Sequence, residues 1–291
     1  VPLTTEPQLL VDCRCETGEN PLWHPAEKRL YWLDIPRGTI FRLDPATGEH
    51  EVVYQGDVTG GFTIQEDGAL LLFGTGGAVR LLRDGVATPL INSLPGEAHT
   101  RFNDAIADPL GRAISGTMAY EKPGEQGSLY LFEHDGRVQR LWSGFQLSNG
   151  LGFSPDQRHL YHADSNARTI TRYDYDVATG SLRRPQPFAS LADSDGVPDG
   201  LTVDAEGFVW LAVWDGARLI RYAPDGAIER EIPFPVKKVS SLTFGGDDAM
   251  DIYVTTAGGT DPAANGEGAG GLFGLRLRIR GIPEFQSRVR L

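Results

Sequence analysis

The sequence predicts an all-β fold, a six-bladed propeller whose blades hold mostly four antiparallel strands, and three observations predict it. Helical periodicity is nearly absent. Short runs of branched and aromatic residues alternate with clusters of Gly, Pro, Asp and Asn, the pattern of strands joined by tight turns. One strand pattern also returns six times, 40 to 49 residues apart. A period in the forties with three or four strands per unit marks a propeller, in which each small sheet buries its faces against its neighbours.

The repeated strand reads LYWLDI from Leu30, LLLFGT from Leu70, AISGTM from Ala113, LYHADS from Leu160, VWLAVW from Val209 and IYVTTA from Ile252. A leading strand precedes each copy, in order NPLWHP, GFTIQE, NDAIADP, NGLGFSP, DGLTVDA and SSLTFGG, and several of these end in the acidic or proline turn of a hairpin. A third strand follows each, from TIFRL at Thr39 to GLFGLRL at Gly271. The apolar segment at residues 9–11 precedes the first unit and has no partner within it. It is expected to join the last blade, pairing the two ends of the chain and removing an open edge.

The 36 glycines and 19 prolines are spread along the whole chain rather than pooled in a linker, so residues 1–291 read as one propeller domain. A net charge of −12 repels phosphate backbones and anionic lipid, which excludes nucleic acid and membrane as expected partners and favours a neutral small molecule. Residues 1–15 lack the basic start and apolar stretch of a signal peptide, so the cytoplasm is the expected location, with the protein a monomer or weak homo-oligomer. Cys13 and Cys15 lie two apart on an expected strand, a spacing that rarely closes a disulfide.

Leading strands line a propeller's channel, and aligning the six by their first apolar residue places Glu19, Gly60, Asn103, Asn149, Asp199 and Ser240 in one ring. Singly, each Asn, Asp or Ser reads as a turn former. Together, two carboxylates and two carboxamides on one axis are poorly satisfied without a cation. Oxygen ligands suit calcium, magnesium or manganese, with zinc or iron(II) also able to occupy a small site. HExxH spacing, a CxxC pair, a GxSxG elbow and a Walker loop are all missing, and His24 and His162 read as packing residues.

At these ring positions the chain resembles the family of senescence marker protein, gluconolactonase and luciferin-regenerating enzyme. The match runs through TGENPLWHP, RFNDAIADPLGR, SGTMA, LSNGLGFSPD, YHADS, PDGLTVDAEGFVW and PEFQSR. The resemblance implies a six-bladed propeller holding one divalent cation, most readily calcium, through Glu19, Asn149 and Asp199. It implies contacts from Arg101, Asn103 and Glu121 to a sugar-derived lactone, which the enzyme hydrolyses to the aldonic acid. Asp199 is then expected to act both as ligand and as general base. Ala105 departs from the glycine that many relatives carry and is expected to alter substrate approach to that backbone.

Two other readings compete. One is a phosphotriesterase or arylesterase of the calcium-propeller type, which needs a roomy apolar mouth that Trp142, Phe145 and Trp214 could supply. The other is a non-catalytic propeller that binds proteins on its rim, although the GH and WD pairs of such repeats do not recur here.

Overall fold

In the computed structural model, which describes residues 3–290, the strands among the described residues form six four-stranded antiparallel sheets. Val1 and Leu291, the expected limits of the domain, lie outside the described residues. Five sheets each use four consecutive strands, and the sixth has the order first strand, last strand, then the two before it. The chain's first strand, Gln8–Val11, runs antiparallel to its last, Leu272–Arg276, with Gln8 opposite Gly274. This is the expected closure, and it leaves no blade joined to its neighbour by packing alone at the point where the chain ends meet.

Sequence chemistry explains why the sheets stack around an axis. The inner strands, Gly18–His24, Gly61–Ile64, Thr100–Ala107, Ser148–Phe153, Val197–Val203 and Val239–Gly245, are buried along most of their length. Outer strands such as His50–Gln55 and Ile228–Pro233 carry charges and face water, the arrangement that protects an edge from unwanted pairing. The apolar residues gather into six clusters, each spanning two adjacent blades. Trp210 and Phe244 meet between blades five and six, and Trp32 and Tyr253 share the cluster where the ring closes. Truncating a fully buried tryptophan such as Trp32 costs about 3 to 5 kcal/mol.

Hairpin turns are held by aspartates. Asp108 accepts from the backbone of Leu110 and Arg112 and from the Tyr175 hydroxyl. Asp204 accepts from Glu206, Phe208, the Trp210 indole and Arg221. Cys13 and Cys15 lie just past the closing strand rather than on it, with their sulfur atoms 3.4 Å apart. Among the described residues no helix is long and apolar enough to cross a membrane.

Candidate active site

The inner strands carry the candidate site because five of the six are bulged where the ring residues sit. Register shifts fall between Glu19 and Leu22, Phe102 and Ala105, Ser148 and Leu151, Pro198 and Leu201, and Val239 and Ser241. A bulge inserts an unpaired residue and re-aims side chains; Asn103, Asn149 and Asp199 fall in these gaps and Glu19 at the edge of one, and all four line the cavity, whereas Ser240 falls in a gap and does not. Blade two has a regular register and contributes glycine. A Cβ on Gly60 would lie 1.8 Å from the Phe102 carbonyl oxygen, so blade three's backbone occupies the space a side chain needs.

The loops entering two of these strands share one anchor. Asp34, in LYWLDI, accepts from the backbone of Glu16 and Thr17 at 3.0 and 2.9 Å. Asp164, in LYHADS, accepts from Gln146 and Leu147 at 2.9 and 3.0 Å. Each aspartate thereby fixes the residues just before a ring position, Glu19 in one blade and Asn149 in the other.

A cavity of about 320 Å³ opens over the ring. Glu19, Arg101, Asn103, Asn149 and Asp199 all line it, as do Ser165, Met118, Val197 and Trp214. Its size lies at the small end of ligand sites. Gly60 and Ser240 do not reach it; the Ser240 hydroxyl is spent on the Gly18 carbonyl and on Thr255. Glu121 is exposed on the loop beyond the third blade's second strand, 3.5 Å from His99, and is not among the lining residues. A larger cleft of about 620 Å³ lies at the outer rim near Leu9, Leu10 and Tyr253, where Arg276 and Asp251 already pair with each other.

Hydrogen bonds join the lining groups. The Asn149 amide donates to Asp199 and, at 3.0 Å, to Ser165, while its oxygen accepts from Gly150 at 3.1 Å. Arg101 donates to Asn103 at 2.6 Å and to the Phe102 carbonyl at 2.9 Å. Asn103 in turn donates to the Ser148 carbonyl at 2.9 Å. Beneath this line His162 sits 2.7 Å from the Ser148 hydroxyl and packs on Phe145. It is a packing residue that also braces the site.

Burial dominates the electrostatics. It raises the Glu19 carboxyl well above its usual range, with repulsion from Asp199 and Asp104 adding to the effect. Asp199 is raised in the same way, by burial and then by Asp104, against the opposing hydrogen bonds from Asn149 and Glu19. Asp104 itself is pushed up to about 7 by burial. Burial pulls Arg101 down to about 10, although Glu19 and Asp199 favour its charged form. Two carboxyls that resist ionisation unless a cation joins them, beside a carboxamide, form an oxygen donor set that fits a hard divalent ion. A half-turn of the Asn149 amide exchanges its nitrogen for its oxygen on the side facing Asp199. Among the described residues no group of three or more His, Cys, Asp and Glu side chains is placed to hold a metal.

Sequence reasoning missed Asp104, Ser165 and Glu284. Glu284, in the closing PEFQSR segment, is pushed up to about 7 by burial and by Asp104. The motif that contains it was visible, but its return to the channel was not. Ala105 packs into the core between blades two and three and is not among the cavity's lining residues, so its methyl group does not stand in the way of substrate. Trp142 and Phe145 belong to the core between blades three and four, and of the three aromatics considered for an apolar mouth Trp214 alone lines the cavity.

Residues 17–258 match a family model described as SMP-30/Gluconolactonase/LRE-like region. Pentonolactonase XacC of Haloferax volcanii is 42% identical over 289 residues, covering 97% of this chain and 98% of its own. A solved luciferin-regenerating enzyme superposes with a TM-score of 0.87 at 25% identity, covering 97% of this chain and 99% of that one. A calcium-binding protein, regucalcin from Agrobacterium tumefaciens, gives a TM-score of 0.86 at 27% identity, with 99% of each chain covered.

Proposed function

The chain belongs to the SMP-30/gluconolactonase/LRE-like family, and from that premise we propose that it hydrolyses a sugar-derived lactone at the ring of Glu19, Asn103, Asn149 and Asp199. The observation that carries this reading is the convergence of two buried carboxylates, two carboxamides and one arginine on a cavity of about 320 Å³. The pentonolactonase relative supports the substrate class, and the calcium-binding relative supports a divalent ion.

Glu19, Asn149 and Asp199 would hold that ion. When bound, a divalent cation supplies Lewis acidity toward the lactone carbonyl and acidifies water near it. Asp199 takes the proton of the attacking water, a role worth roughly 10² to 10⁴ in rate. Arg101 stabilises the charge that develops on the carbonyl oxygen, because its guanidinium is half-buried and already oriented by Asn103 and the Phe102 carbonyl. Asn103, held by the Ser148 carbonyl, positions the ring or its hydroxyls.

The test is lactone hydrolysis after chelation and after return of calcium, magnesium, manganese, zinc or iron(II), across pentono- and hexonolactones with a phosphotriester control. Loss on chelation and recovery with one cation is the expected outcome. Turnover that survives exhaustive chelation would remove the metal from the reading, and inactivity on every lactone would remove the lactone.

A further inference from the structure

The cavity lining is of two kinds, polar side chains that include Glu19, Arg101, Asn103, Asn149 and Asp199, and the apolar Ile35, Met118, Leu147, Val197 and Trp214. Trp214 ends the second strand of blade five directly opposite Val197, so these two lining residues are cross-strand partners. The turn that follows Trp214 is unusual. Asp215 (φ 59°) and Ala217 (φ 50°) both adopt left-handed conformations that non-glycine residues seldom take and that persist where surrounding structure enforces them.

That enforcement is visible. Ala217 donates to the Lys237 carbonyl at 3.0 Å, its own carbonyl accepts from Phe234 at 2.8 Å, and Arg218 donates to the Gly216 and Asp195 carbonyls at 3.0 and 3.3 Å. Gly196 lies so near that a Cβ there would meet the Trp214 carbonyl oxygen at 2.5 Å. Lys238, paired with Asp215 at 2.6 Å, sits over one indole face with its ammonium 4.6 Å from the ring centroid. One face of a half-buried indole is thus occupied, the ring is held in place, and the same residue lines the cavity.

We propose that Trp214 is the platform on which the lactone ring lies, a specificity residue that accepts the ring's C–H face while the polar side chains read its carbonyl and hydroxyls. The proposal rests on the lactonase reading and adds to it a choice of substrate. Flat, unbranched sugar lactones suit such a platform, and lactones with bulky or charged substituents on the ring face do not. Binding energy from such a platform is present before and during reaction, so its loss raises KM and spares kcat.

The experiment compares Trp214→Ala, Trp214→Leu and Trp214→Phe with wild type on glucono-1,5-lactone and xylono-1,4-lactone, and titrates each with glucono-1,5-lactam while tryptophan emission is recorded. The expected result is a KM raised about tenfold or more in Trp214→Ala, kcat within about threefold, and KM near wild type in Trp214→Phe. Lactam should change wild-type emission, and that change should vanish in Trp214→Phe although four other tryptophans remain. Wild-type KM in both Trp214→Ala and Trp214→Leu, or an emission change that persists in Trp214→Phe, overturns the proposal. Should wild type turn over no lactone, the lactonase reading fails, and the lactam titration still decides the contact by itself.

Discussion

The two ends of the inner strands use opposite strategies. At the end where these strands begin, Glu19 and Asp199 are buried side by side with raised pKa values, and bulges break the ladder. At the end where they finish, the C-terminal segment crosses the strands and satisfies nearly everything it meets. Ser287 donates to the Ile64 carbonyl at 2.8 Å and bonds the Thr63 hydroxyl at 2.7 Å. Gln65 donates to the Val289 carbonyl at 2.7 Å and accepts from its amide at 3.0 Å. Arg280 and Gly281 bond Ala205 and Ala249 in the same way. One end spends stability on unpaired charge, and the other recovers it through paired backbone. The difference teaches where chemistry can be placed in a closed ring without opening it.

Removing charge from the first end tests the contrast most severely. Asp199→Asn should lower kcat/KM by about 10²- to 10⁴-fold, while the metal-free protein keeps or raises its melting temperature because a repelled buried carboxylate has gone. Near-normal turnover would dismiss Asp199 as the base.

Acid should act next, with opposite sign on different buried groups. Burial pulls His162 down to about 3 from 6.5. Between those values the unfolded chain holds a proton that the folded chain refuses, so stability is lost as pH falls through that window. On the order of 4 kcal/mol is involved by its lower limit. The carboxyls have the opposite sign. Asp104 and Glu284 are raised to about 7, so the folded chain holds protons the unfolded one has released, and stability grows as pH falls from neutral toward 4. His162→Gln, which keeps a donor for Ser148, removes the opposing loss and should steepen the gain in stability from pH 7 to pH 4 in a denaturation series. An unchanged series would show that another group sets that loss.

At the sealed end, Gln65→Ala breaks both bonds to Val289 and should cost about 1 to 3 kcal/mol in chemical denaturation with kcat/KM unchanged. A fall in activity equal to that of a ring mutant would mean that the two ends are not independent. The smallest effect is expected from Glu121→Gln. An exposed carboxylate paired with His99 is worth little, so kcat/KM should move by about twofold or less. A large rise in KM would instead show that its loop folds over bound substrate.

Much of this was legible in the residues themselves. Glu19, Asn103, Asn149 and Asp199 could be aligned because each precedes the first apolar residue of a repeated leading-strand motif, and the repeat fixes where such strands lie relative to the axis. The same alignment over-reached at Gly60 and Ser240, where the neighbouring blade takes the space in one case and the hydrogen-bonding capacity in the other. Asp34 and Asp164 stand at matching places in LYWLDI and LYHADS, so their shared anchoring role had a signal in the repeat. Ser165 had none, since it enters the cavity from a turn whose direction no periodicity records.

The sequence by itself determined the number of blades, the closing of the ring and the identity of the groups brought to its axis, because these follow from period, alternation and strand order. Tertiary structure alone decided which of those groups face the cavity. Side-chain direction at a bulge, burial and the proximity of like charges depend on how adjacent blades press together, and that pressure is a property of the packed ring rather than of any one strand.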